Sequence, residues 1–151
     1  MFQHILLCTH GTAGAQKAEK LVFEQLLKNF PETRLTILTI INADWKLMTG
    51  DDWLNTSRTR MQFLDHVDGQ LTREIEADWE RIKTAYPQST EHRFIEVVGY
   101  VEETITEVAR RQECDLIVIG PYQKTRSRGF RDRIKNEKFH PLLPCPLLIA
   151  P

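Results

Sequence analysis

Cysteine is scarce here. The three residues, Cys8, Cys114 and Cys145, are odd in number and have no CxxC spacing. That excludes a disulfide framework and a CxxC-type zinc or redox motif. Each stands in or beside an apolar run, so free, buried thiols in a reducing compartment are expected. Long apolar runs are missing too; none approaches the roughly 20 residues that cross a bilayer. The start, Met-Phe-Gln-His-Ile-Leu-Leu-Cys, lacks the charged and long apolar stretches of a secretory signal. A cytoplasmic protein without a membrane partner is the expectation. Ligand spacing is absent among His4, His10, His66, His92 and His140, so no metal site is expected. No Gly-x-Ser-x-Gly string or Cys–His–acid arrangement appears, so no catalytic residue is assigned and the chain is read as no enzyme.

Excess charge of one sign is also lacking. The net charge is -1, which argues against general binding to nucleic acid or an anionic membrane. The charge is uneven, however. Residues 124–138 carry Lys124, Arg126, Arg128, Arg131, Arg133, Lys135 and Lys138 against Asp132 and Glu137, a basic patch of +5 on a body of -6. Only Tyr122 and Phe130 interleave it, too few aromatics for a nucleic-acid partner.

What is present is an alternation of strand and helix patterns over one domain, 1–151. The β-branched and apolar runs Phe2–Thr9, Arg34–Ile41, Glu91–Val98, Leu116–Ile119 and Pro146–Ala150 are read as strands 1 to 5. Helical spacing predicts a helix over 13–29 capped by Thr12, a long one over 57–86 striped by Phe63, Val67, Leu71, Ile75 and Trp79, and one over Val101–Arg111. A short helix is expected near Ile134–His140. Residues 42–55 have no period and carry Trp45, Met48 and Trp53, which would pack as a lid. This order gives an α/β fold: a single doubly wound parallel five-stranded sheet. Pro146 suits an edge strand, and that edge would pair with a second copy.

Several strings resemble the universal stress protein family. They are Ile5-Leu-Leu-Cys-Thr-His-Gly-Thr12, Leu35-Thr-Ile-Leu38, Val98-Gly-Tyr-Val-Glu-Glu-Thr-Ile105, Cys114-Asp-Leu-Ile-Val-Ile-Gly120 and Leu143-Pro-Cys-Pro-Leu-Leu-Ile149. The resemblance implies strand order 3-2-1-4-5 flanked by helices, adenine nucleotide alpha hydrolase-like, and a homodimer through Pro146–Ala150. Many members bind ATP with an Asp after strand 1 and a Gly-x2-Gly-x9-Gly-Ser/Thr loop after strand 4. Here Gly120 keeps the first glycine, but Gln123, Arg133 and Ile134 stand at the later positions and His10 at the Asp. The resulting expectation is a non-catalytic stress-response or regulatory protein that does not bind ATP in the usual manner. The alternative is a nucleotide (ATP, ADP or AMP) or phosphate binder in which arginines replace the glycines. Weak ATP hydrolysis or self-phosphorylation would extend that alternative. The candidate ligand-facing residues are Thr9, His10, Gly11, Thr12, Ile41, Gly120, Lys124, Arg126, Arg128, Arg133 and Ile134.

Overall fold

A computed structural model describes residues 2–42, 72–121 and 139–151. Five strands form one parallel sheet in the order β3-β2-β1-β4-β5. They are β1 (His4–Cys8), β2 (Arg34–Asn42), β3 (Arg93–Gly99), β4 (Leu116–Ile119) and β5 (Leu147–Ile149). Helix α1 (Ala13–Leu21) runs through a π-helical stretch, Val22–Leu26, into a last turn, Leu27–Asn29. Helix α2 occupies 72–85, and α3 spans Val101–Arg111. The expected fold and strand order are therefore present.

Alternation explains why β1 and β4 read as unbroken apolar runs. Ile5, Leu7, Leu116 and Val118 pack on one face with Ala18 and Val22 of helix 13–29 and Ile82 of α2. Leu6, Ile117 and Ile119 pack on the other with Val101, Ile105 and Ala109 of α3. A strand covered on both faces has no polar side to show.

The element boundaries shift from expectation for identifiable reasons. Strand 1 begins at His4 instead of Phe2, because the Gln3 and His4 amides donate to the Asp115 carboxylate at 2.8 and 3.0 Å. Asp115 thus clamps the N-terminal ends of β1 and β4 together. Burial opposes its charge, but these amide hydrogens prevail and hold the carboxyl below the usual range. Strand 3 begins at Arg93 because Pro87–Glu91 close into a 3-10 turn. Strand 5 is shorter than Pro146–Ala150, although Pro146 and Ala150 still join the backbone bonding with β4. Near the expected short helix, the described residues form a 3-10 turn, His140–Leu142. Cys114 is buried, whereas Cys8 and Cys145 are only half-buried, and all three are free. Burial pushes the Cys114 thiol up to about 12 and raises the other two, so none is an activated nucleophile. Among the described residues, no helix is long and apolar enough to cross a membrane.

His4 is sealed beneath the sheet end at 5 % exposure. Its Nδ1 lies 2.9 Å from the Gln112 carbonyl, so it must donate there. Its Nε2, 2.7 Å from Thr36 Oγ1, then accepts from that hydroxyl. Burial, aided by Arg34 and opposed by Gln112 and Asp115, lowers its pKa below the ordinary 6.5. His92 is lowered by burial as well. With folded values depressed, the unfolded chain takes up protons first. Stability is full above pH 6.5 and falls as pH drops below it. Urea midpoints at pH 7.5 and 5.5 test this; equal midpoints would contradict it.

Candidate functional site

In an open α/β sheet the ligand crevice lies past the carboxyl ends of the strands, where the winding reverses. Here that point falls between β1 and β4. Two segments border it: Thr9–Thr12 leading into α1, and Gly120-Pro121 after β4.

Thr9 is 1 % exposed. Its amide donates to the Leu38 carbonyl at 3.0 Å, and its hydroxyl donates to Glu19. Its own carbonyl accepts from the Thr39 hydroxyl at 3.0 Å, which in turn accepts from Trp79 Nε1 at 3.1 Å. Thr9 therefore ties β1, β2, α1 and α2 together. Thr12 caps α1 by accepting from the Ala15 amide at 3.2 Å. Gly11 holds φ +83°, a left-handed conformation that glycine takes at little cost. A Cβ there would lie 3.1 Å from Asp78 Oδ1, so the turn and α2 are in close contact. His10 is half-buried within the same turn.

Gly120 faces protein backbone. A Cβ on it would collide with the Gly14 carbonyl oxygen and lie 2.6 Å from Gly14 C and 2.9 Å from Ala15 N. Gly14 in turn sits against Pro121, whose Cδ would be 3.5 Å from an added Cβ. Gly120-Pro121 is packed directly onto the first turn of α1. Thr9, His10, Gly11, Thr12 and Gly120 are thus brought to one end of the sheet. Ile41 lies near the carboxyl end of β2, at the same end of the sheet, buried and in register with Val98 of β3. Lys124, Arg126, Arg128, Arg133 and Ile134 lie outside the described residues, as do Gln123, Trp45, Met48 and Trp53.

The most concentrated polar chemistry at this end comes from residues that sequence reasoning passed over: Glu19, Asp78 and Arg81. Glu19 is 1 % exposed. Arg81 Nη2 donates to Glu19 Oε2 at 3.0 Å and to Asp78 Oδ1 at 2.6 Å, while its Nε donates to Asp78 Oδ1 at 2.9 Å. Burial works against the Arg81 charge, but the bonds to Glu19 and Asp78 more than offset it and hold the guanidinium protonated. A signal did exist. Glu19 falls on the buried side of α1 between Ala15, Ala18 and Val22, and an acid on an apolar helix face requires a cationic partner. Among the described residues, no group of three or more His, Cys, Asp or Glu side chains is arranged to hold a metal. A shallow depression of about 400 Å³, lined by Phe23, Glu24, Leu27, Lys28 and Gln88, lies at the other end of helix 13–29.

The chain was compared with known proteins. The Universal stress protein family profile matches residues 1–134. No curated protein matches at a significant level. Similar solved structures extend over almost the whole chain. The hypothetical protein MJ0577 is 21 % identical with TM-score 0.72, covering 99 % of this chain and 96 % of its own. Universal stress protein UspA from Lactobacillus plantarum is 16 % identical with TM-score 0.58, covering 99 % and 97 %. A universal stress protein family protein from Arabidopsis thaliana, solved with AMP bound, is 8 % identical with TM-score 0.60, covering 98 % and 90 %.

Proposed function

Because the chain belongs to the universal stress protein family, we propose that it is a non-catalytic regulatory member serving the stress response, one that does not hold ATP in the family's usual manner. The observation that carries this reading is Gly120. The one glycine retained from the phosphate-loop pattern has its Cα against the Gly14 and Ala15 backbone, so packing accounts for it without a phosphate. The residue after Thr9 is His10 where the family pattern has an acid. A cytoplasmic role through unidentified protein partners follows from this reading.

The working unit is proposed to be a homodimer joined along β5. Leu148 and Ile149 keep 36 % and 37 % exposure on an edge strand, and an open apolar edge is a natural pairing surface. Leu148→Glu is expected to shift the protein to monomer in sedimentation while leaving its circular dichroism unchanged. A wild-type monomer would refute the dimer.

A second reading, nucleotide binding through the 124–135 loop, is favoured by relatives solved with AMP and in complex with cAMP. One experiment separates the two. The protein as purified is denatured and the supernatant assayed for nucleotide by chromatography and mass spectrometry. The regulatory reading expects none; stoichiometric ATP, ADP or AMP would overturn it and establish the second.

A further inference from the structure

The depression at the far end of helix 13–29 has a charge pattern of its own. It holds about 400 Å³ between Phe23, Glu24, Leu27, Lys28 and Gln88. Phe23 and Leu27 are 3 % and 8 % exposed and make an apolar floor. The Phe23 ring is fixed by stacking on Tyr86, with centroids 4.5 Å apart and planes 13° from parallel. Glu24, Lys28 and Gln88 are exposed and make the rim. Glu24 and Lys28 stand four positions apart, in the order that favours an ion pair on a helix. Among the described residues, no ion pair joins them. The Glu24 carboxylate is held by Tyr86 instead, whose hydroxyl donates to Oε2 at 3.0 Å. Burial, and then the bond to Glu24, push that hydroxyl up to about 12, so it remains a donor at neutral pH. The helix wall here is the π-helical stretch Val22–Leu26, closed by the Leu27 amide on the Val22 carbonyl. Such wide turns are rare and gather at functional sites.

We propose that this depression binds a free α-amino acid with a large apolar side chain. The side chain lies on Phe23 and Leu27. The α-ammonium donates to Glu24, and the α-carboxylate accepts from Lys28 and the Gln88 amide. Charge complementarity selects this class of ligand. A simple anion would meet the Glu24 carboxylate, and a simple cation would meet the Lys28 ammonium. A neutral apolar molecule would leave both charges without use. A zwitterion answers both at once, with its apolar body on the floor between them. The volume lies within the range of small-molecule sites. Both rim charges are exposed, so each ion pair adds little and millimolar affinity is expected. None of the five lining residues belongs to the crevice turn, so the site stands whichever way nucleotide binding is decided.

The test is an NMR titration of the full chain with L-phenylalanine at constant ionic strength. Saturable shifts are expected at the Phe23 ring and the Gln88 side-chain amide. Phenethylamine lacks the carboxylate and 3-phenylpropionate lacks the ammonium; each should bind roughly two- to fivefold more weakly, the scale of one exposed ion pair. Glycine, without an apolar body, should give no saturation. Glu24→Gln and Lys28→Met change exposed side chains and leave the floor intact, and each should weaken L-phenylalanine by the same factor. Three results would overturn the proposal. They are no saturation by L-phenylalanine up to tens of millimolar, equal binding of the uncharged N-acetylphenylalaninamide, and undiminished affinity in both variants. The second would make the depression a plain apolar groove, blind to charge.

Discussion

Gly120→Ala will lower stability by about 3 kcal/mol, within the upper range for overpacking a well-filled interior. The added methyl carbon meets the Gly14 carbonyl oxygen, Gly14 C and Ala15 N. All three are backbone atoms, held by the first turn of α1, so no side chain can rotate away. Either α1 lifts from the sheet or β4 loses its seat beside it. At 2–4 °C per kcal/mol for a chain of this size, the melting temperature should drop by roughly 10 °C. Gly99→Ala is a useful contrast. Its nearest obstacle is the Thr104 hydroxyl, a side-chain atom that can yield, so the loss there should be smaller. Calorimetry on both variants in nucleotide-free protein decides the matter. If Gly120→Ala is stable and merely changes ligand affinity, the packing account of this glycine is wrong.

Arg81→Met ranks next. It retains much of the aliphatic stem but removes the cation that, among the described residues, bridges Glu19 and Asp78. Breaking a buried pair by removing one partner typically costs 3–5 kcal/mol. Arg81 is one-third exposed, so solvent softens the effect and about 3 kcal/mol is expected. Arg81→Lys should recover only part of this, because an ammonium cannot span Oε2 of Glu19 and Oδ1 of Asp78 with a fixed fork. Because Glu19 also receives the Thr9 hydroxyl, amide exchange should quicken at Thr9–Thr12 before it quickens in β2 or β4. A urea midpoint within error of wild type would reduce the cluster to a surface ion pair.

Local patterning made most of the fold legible. Val101–Arg111 and Leu116–Ile119 stand where apolar spacing put them, because each is decided by one buried stripe or one apolar run. The boundaries that moved were those set by distant residues. Phe2 looks like strand from its neighbours, but the Gln3 and His4 amides that follow it go to Asp115. The π-helical stretch Val22–Leu26 leaves no mark in a pattern of spacing 3 and 4, so it was invisible. The crevice was legible in part. Chain order puts Thr9, Gly11 and Thr12 in the turn between β1 and α1, where the structure has them. Yet Thr9 and Thr12 spend their hydroxyls on Glu19 and on the α1 cap. Glu19, Asp78 and Arg81 went unread because Arg81 lies 62 positions from Glu19, and pairing at that distance is a product of the fold.

The central strand also has a temporal consequence. β1 leaves the ribosome well before β4, since its partner Leu116 trails Ile5 by more than a hundred residues. At 5–20 residues per second, the nascent β1 would wait on the order of 10 s for β4. Until then it has only β2 on one side, and its other edge is open. The Asp115 clamp closes that edge at its first residue. A nascent chain stalled before Asp115 should therefore be held by chaperones that bind exposed apolar strands, and one stalled well beyond Ala150 should not.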